Sequence, residues 1–159
     1  MNKIWAPWRS KFIYSRKRKG CVFCMARDAK NDKISYVLKR TKYSFSVLNI
    51  YPYNNGHIMI SPKRHKATLG ELKKPELTDM IMLLNEMTLL LEKKLNPHGF
   101  NIGMNAGKAA GAGYPGHLHI HIVPRWNGDT NFMPVLSDTK IISESLDSLY
   151  ERLKSSCGK

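Results

Sequence analysis

Residues 117–123 read His-Leu-His-Ile-His-Ile-Val, and no other feature of the chain narrows its fold so far. Extended backbone sends successive side chains to opposite faces. On a strand, His117, His119 and His121 line one face while Leu118, Ile120 and Ile122 enter a core. The histidine face gives up apolar packing at three successive positions, which a sheet does not do for stability alone. That face is a place for chemistry. Pro124 closes the run and is expected to end the strand.

The remaining elements can be read around this strand. Ile34 to Leu38 and Tyr43 to Leu48 are rich in β-branched and aromatic residues, and Lys39-Arg40-Thr41-Lys42 separates them, so a hairpin is expected. Pro52-Tyr53-Asn54-Asn55-Gly56 is a turn signal, followed by a third strand from His57 to Ser61. Thr68 and Glu71 have capping-box spacing, and Pro75 suits the first turn of a helix. Leu77, Met80, Ile81, Leu84, Met87, Leu91 and Leu95 then recur at helical spacing, interrupted by Thr88, up to the stop at Asn96-Pro97-His98-Gly99. Phe100 to Asn105 reads as a fourth strand. A glycine-rich loop from Gly107 to Gly116 leads to the histidine strand, and Ile141 to Leu153 reads as an amphipathic helix. Strands clustered around one long helix predict an α+β fold, with an antiparallel sheet packed against that helix and a C-terminal helix. At 159 residues one domain is expected over 1–159, with an arm at 1–24 and a helical C-terminal region at 137–159.

The formal charge of +14 favours anionic partners, phosphate-rich nucleotides and nucleic acid among them. Lys3, Arg9, Lys11, Arg16, Lys17, Arg18, Lys19 and Arg27 all precede the first acid, Asp28. Trp5, Pro7, Trp8, Phe12 and Tyr14 interleave with them, so the arm is expected to pack on the body. No apolar run reaches the roughly 18 residues of a membrane span. The basic start lacks the apolar stretch of a secretory signal. Three cysteines do not make a disulfide framework, and a reducing cytoplasm is the expected compartment.

The histidine run resembles the His-φ-His-φ-His-φ-φ signature of the histidine triad (HIT) family of nucleotidyl hydrolases and transferases. The stretches Gly103-Met104-Asn105-Ala106-Gly107, Gly111-Ala112-Gly113-Tyr114-Pro115-Gly116 and Pro124-Arg125-Trp126-Asn127-Gly128-Asp129 are most similar to the branch acting on diadenosine polyphosphates. The likeness runs from about Tyr36 to Met133 and includes Asn49 and His57. The arm's Trp5-Ala6-Pro7-Trp8-Arg9 also resembles a Trp-x-Pro-x-Arg element of similar proteins. The resemblance implies a five-stranded half-barrel that pairs into a homodimer.

A neutral imidazole is a competent nucleophile near pH 7, provided one ring nitrogen holds its proton against an acceptor and the other aims a lone pair at phosphorus. The middle histidine suits this role, and the family likeness agrees in making His119 the nucleophile of a covalent nucleotidyl-imidazole intermediate. His121 then meets the substrate phosphates or the leaving group. His57 aligns with a fourth family histidine that shapes the pocket, although a satisfied core or edge histidine is the competing reading. By the same likeness Asn49 contacts the ribose and Asn105 the phosphates. Lys108, Gly111 and Gly113 belong to a loop whose small residues let backbone N–H groups approach anionic oxygens. Gly113 and Tyr114 depart from the Gln and Ser of some relatives, so backbone donors would replace those side chains. His98, in the helix stop, is given no role.

Cys21-Val22-Phe23-Cys24 has the spacing of half a tetrahedral zinc site, and equally of a redox pair or of two small buried residues. The resemblance supplies the other half: related proteins complete such a pair with histidines matching His65 and His117. A structural zinc on Cys21, Cys24, His65 and His117 is therefore expected, which removes His117 from the reaction. Cys157 reads as an incidental thiol.

The favoured function is transfer of a nucleotidyl group from an adenine dinucleoside polyphosphate to His119, and then to water or phosphate. Removal of adenylate from nucleic-acid 5′ ends uses the same chemistry and draws on the charge, but no recognition module for nucleic acid accompanies it. A non-catalytic nucleotide-binding regulator would use the same pocket without turnover. A metal-dependent oxygenase would need a carboxylate on the histidine face, which the strand pattern does not offer.

Overall fold

A computed structural model describes residues 20–130 and 141–157. Five strands form one antiparallel sheet: β1 Val37–Arg40, β2 Ser44–Leu48, β3 Ile58–Pro62, β4 Gly99–Gly103 and β5 Ile120–Arg125, in the order β1-β2-β3-β5-β4. Helices α1 Val22–Asp28 and α2 Asp32–Ser35 precede the sheet, α3 Lys74–Leu95 lies between β3 and β4, and α4 Leu146–Lys154 follows β5. This is the α+β arrangement expected, with the long helix and the C-terminal helix. The basic arm before residue 20 lies outside the described residues.

The two faces of the sheet have different content. Toward α3, Leu38, Leu48, Ile58, Ile60, Leu118, Ile120 and Ile122 pack with Met80, Leu83, Met87 and Leu91 of the helix and Leu149, Tyr150 and Leu153 of α4. Each such buried side chain contributes roughly 1.5–3 kcal/mol, so this layer holds the fold. The helix stripe is rotated slightly from expectation, with Leu83 buried and Ile81 exposed. On the other face, Val37, Phe45 and Val47 close over Phe23 of α1. The register pairs Met59 with His121, and Met59 packs against that second cluster, so the histidines share its face.

Several boundaries differ from expectation for local reasons. Ile34 does not begin a strand. Asn31 Oδ1 accepts from the N–H groups of Lys33 and Ile34 and starts a helical turn, which Tyr36 ends in the left-handed region at φ 55°, leaving Ile34 79% exposed. The strand instead runs through Lys39 and Arg40, whose side chains reach Glu86 and Asp32. The ladder of β5 starts only at Ile120, because Leu118 takes other partners: its N–H donates to the Lys66 carbonyl beyond β3 at 2.7 Å, and its carbonyl accepts from the side chain of Ser61 within β3, Ser61 Oγ, at 2.9 Å. Pro124 sits inside β5 rather than ending it. It lies past Ile122, the last residue paired with β3, where a proline is tolerated. The fourth strand ends at Gly103, not Asn105, and the last helix starts at Leu146, capped by Ser145 Oγ.

Gly56 carries the turn into β3. Its φ is +77°, and a Cβ there would stand 2.6 Å from Leu95 Cδ1 and 3.0 Å from Pro124 Cγ. Only glycine allows the chain to slip between the end of α3 and β5 and enter the sheet at His57.

Candidate active site and metal centre

The seven-residue helix α1 is too short to persist alone, and its N-terminus has no side-chain cap. It is tied down at both ends instead. The Arg40 guanidinium takes the carbonyls of Ala26 and Arg27, at 2.9 and 2.6 Å, and Arg27 donates to the Lys63 carbonyl at 2.6 Å. At the other end Cys21 and Cys24 turn toward two histidines. Cys21 Sγ lies 3.2 Å and Cys24 Sγ 3.6 Å from His117 Nδ1, and Cys24 Sγ lies 3.3 Å from His65 Nδ1.

All four donor atoms fall within 4.8 Å of one another. Zinc bonds of about 2.3 Å to sulfur and 2.0–2.1 Å to nitrogen give a tetrahedral S···N edge of about 3.6 Å, and the observed separations fit that edge. His117 Nε2–H donates to the Pro62 carbonyl at 2.9 Å, which leaves Nδ1 as the nitrogen able to ligate a metal. Burial pushes the His117 ring below its ordinary value, so it presents a lone pair rather than a proton.

The other two histidines of the run hold opposite tautomers. His119 Nδ1–H donates to the backbone carbonyl of His117 at 2.8 Å, and no partner among the described residues takes the Nε2 lone pair. Its ring is buried, only 6% exposed, with Phe23 stacked on one side at 4.6 Å between centroids and His121 edge-on at 4.9 Å. Burial lowers the pKa of His119, and the bond to the carbonyl partly opposes that shift.

His121 is set by a chain of bonds that begins in the turn after β2. Tyr53 N–H donates to His57 Nδ1 at 3.1 Å, and Asn49 Nδ2 approaches the same atom at 3.3 Å. Asn49 Oδ1 accepts from Tyr51 N–H at 2.9 Å, which fixes the amide's orientation. With Nδ1 accepting, His57 carries its proton on Nε2 and donates it to His121 Nδ1 at 2.8 Å. His121 must then carry its own proton on Nε2. The site therefore presents a bare Nε2 on His119 beside an Nε2–H on His121. Burial, and then the neighbouring histidines, push His57 down to about 3 and His121 to about 4, so both rings are neutral at pH 7.

The glycine-rich loop is less closely joined to this cluster. Asn105 Nδ2 donates to the Gly111 carbonyl at 3.2 Å, holding the short 3-10 turn Lys108–Ala110. Gly107 and Gly111 have φ of 85° and 84°. Lys108, Gly111 and Gly113 are exposed, and no hydrogen bond among the described residues joins Lys108 or Gly113 to the histidines. His98 accepts from Asn127 N–H at 2.9 Å and serves the turn after β5.

Three residues of the site escape sequence reasoning. Tyr53 holds His57 through its N–H and lays its ring 4.8 Å away. The carbonyl of Pro62 orients His117. Phe23 stacks on His119, and its place inside the cysteine pair was the one available signal.

Residues 30–128 match the HIT domain, and the chain belongs to the HIT family. It is one of that family's enzymes. A Mycobacterium tuberculosis protein named AP-4-A phosphorylase is 32% identical over 154 residues, covering 92% of this chain and 79% of the relative. The Schizosaccharomyces pombe bis(5′-nucleosyl)-tetraphosphatase [asymmetrical] is 36% identical over 117 residues, or 73% of this chain and 64% of the relative. Among solved structures, a Zn-bound histidine triad family protein from Mycobacterium smegmatis superposes with a TM-score of 0.69 at 25% identity, over 87% of this chain and 93% of that one.

Proposed function

We propose that the protein transfers AMP from an adenine dinucleoside polyphosphate of the diadenosine tetraphosphate type, by way of an adenylyl group on His119, to water or to phosphate. The observation that carries this reading is the pair of opposite tautomers, a free Nε2 on His119 beside an Nε2–H on His121. The His119 lone pair attacks the α-phosphorus, and the bond from that phosphorus to the bridging oxygen breaks. Charge growing on the bridging oxygen is met by a hydrogen bond from His121 Nε2–H. A polyphosphate leaving group is a weak base and departs with the electron pair. The phosphorylated ring is an imidazolium, and its Nδ1–H stays on the His117 carbonyl, so no proton need move there. Water or phosphate then attacks phosphorus. The N–P bond breaks, its electrons return to Nε2, and the incoming group's proton passes to solvent.

His57 keeps His121 in the required tautomer, Asn49 and Asn105 meet ribose and phosphate, and Lys108, Gly111 and Gly113 supply the loop that faces the polyphosphate. A zinc ion on Cys21, Cys24, His65 and His117 is structural, tying α1 to the sheet. The relatives named as a phosphorylase and a tetraphosphatase support the substrate class. Incubation with diadenosine tetraphosphate, with and without phosphate, tests the reading. ADP formed only with phosphate marks the phosphorylase, and AMP without it the hydrolase. Absence of any adenylated protein in rapid quench rejects the mechanism.

We further infer a homodimer, a single domain over 1–159 and a cytoplasmic setting. Among the described residues strand β4 is an edge with one neighbour, and Ile102 on it is 48% exposed, which supports pairing with a second copy. None of Cys21, Cys24 and Cys157 is in a disulfide, as a reducing compartment keeps them, and no helix among the described residues is long and apolar enough to cross a membrane. Light scattering reads the dimer directly.

A further inference from the structure

We propose that Phe23 is a positioning residue for His119, so that the cysteine-bearing helix sets the attack angle of the nucleophile. The inference rests on His119 being that nucleophile. The Nδ1–H bond to the His117 carbonyl fixes one atom of the ring, which can still swing about the line through that bond. What stops the swing is contact on the faces of the ring. One side has His121 edge-on at 4.9 Å, and the other has the Phe23 ring at 4.6 Å and an interplanar angle of 30°.

Phe23 is itself tightly held. It is 3% exposed, lies 5.3 Å from the His117 ring and meets Tyr114 edge-on at 6.4 Å. The Tyr114 hydroxyl in turn donates to the Gly20 carbonyl, at the start of α1. Phe23 stands between Cys21 and Cys24, whose sulfurs reach His117, so its backbone is anchored on both sides. The far end of α1 hangs on Arg40. A short helix with anchors at both ends and one buried aromatic ring between them can hold an imidazole in a single orientation.

The experiment compares wild type with Phe23→Leu, which fills the space without a flat face, and Phe23→Tyr, which restores the ring. All are measured as the full chain with zinc added. Two readouts are taken: the single-turnover rate of His119 adenylylation against substrate concentration, and the ¹⁵N-edited NMR signals of the His119 ring at one fixed pH. Because a misplacement near 1 Å can cost about 100-fold, Phe23→Leu is expected to slow adenylylation by roughly 10- to 100-fold, with half-saturation unchanged within about threefold. Its His119 Nδ1–H signal is expected to broaden or vanish, and Phe23→Tyr is expected to recover both readouts.

A Phe23→Leu protein that melts earlier yet reacts at the wild-type rate, with an unchanged His119 signal, overturns the proposal. So does a raised half-saturation at unchanged maximal rate, which would make Phe23 a wall of the substrate pocket. If wild type forms no adenylated histidine while the NMR signal still depends on the ring at 23, the nucleotidyl-transfer reading and the role of Phe23 in attack fail together, and only the orientation of the His119 ring by Phe23 stands.

Discussion

Acidification should loosen this fold through His57, and the size of the effect can be worked out. The side chain is 1% exposed and takes the Tyr53 N–H on Nδ1 while donating from Nε2 to His121, so the folded site has a place only for the neutral ring. Its value is pushed down to about 3, chiefly by burial. In the unfolded chain the ring returns to its ordinary value near 6.5. Between those values the unfolded state binds the proton and the folded state does not, so stability is full above pH 6.5 and falls as pH drops toward 3. From pH 7 to pH 5 the loss assigned to His57 is about 2 kcal/mol. Urea unfolding at pH 7, 6 and 5 in saturating zinc measures it, with His57→Gln as the reference. Glutamine retains a donor toward His121 and an acceptor toward Tyr53 but does not titrate. Zinc release and the other histidines act in both proteins and cancel in the difference. The expected result is a shallower pH dependence in the variant by about 2 kcal/mol across that interval. Parallel curves for the two proteins would refute the reasoning.

Other outcomes follow from the same geometry. His119→Ala should abolish the adenylated protein in rapid-quench assays while nucleotide binding, read by calorimetry, persists. Cys24→Ser should lower bound zinc from one equivalent per chain in elemental analysis and cost several kcal/mol of stability, because a metal held by this cluster would anchor α1. Gly56→Ala should destabilise by roughly 1–3 kcal/mol in denaturant titrations, since φ +77° and the 2.6 Å approach to Leu95 act together. Leu91→Ala, which removes a fully buried side chain from the helix layer, should cost about 2–5 kcal/mol and leave the half-saturation for substrate unchanged.

What the chain discloses by itself is what repeats along it. The alternation from His117 to Ile122 and the stripe from Leu77 to Leu95 are periodic, so the histidine face and the long helix were legible. Ile34 misled because a cap from Asn31, a local hydrogen bond, outweighs the strand preference of a β-branched residue. Lys39 and Arg40 looked like turn residues because their partners, Glu86 and Asp32, become neighbours only when the sheet forms. The sulfur half of the metal cluster has a spacing. The histidine half has none, since His65 and His117 come from separate loops, and only family likeness pointed to them. Asn49 illustrates a further gap. Likeness gave it a ribose, whereas the structure also gives it a structural duty at His57.

The division of the sheet into a helix-packed face and a histidine face has an evolutionary consequence. Substitutions beneath α3 should act on melting temperature alone, whereas those around α1 and the histidines, as at Cys24 and His57, should act on rate and on stability together. Such a chain can accumulate new preferences for nucleotide partners on one side of a sheet while the other side keeps it folded. A lineage built this way would diversify its chemistry faster than its architecture.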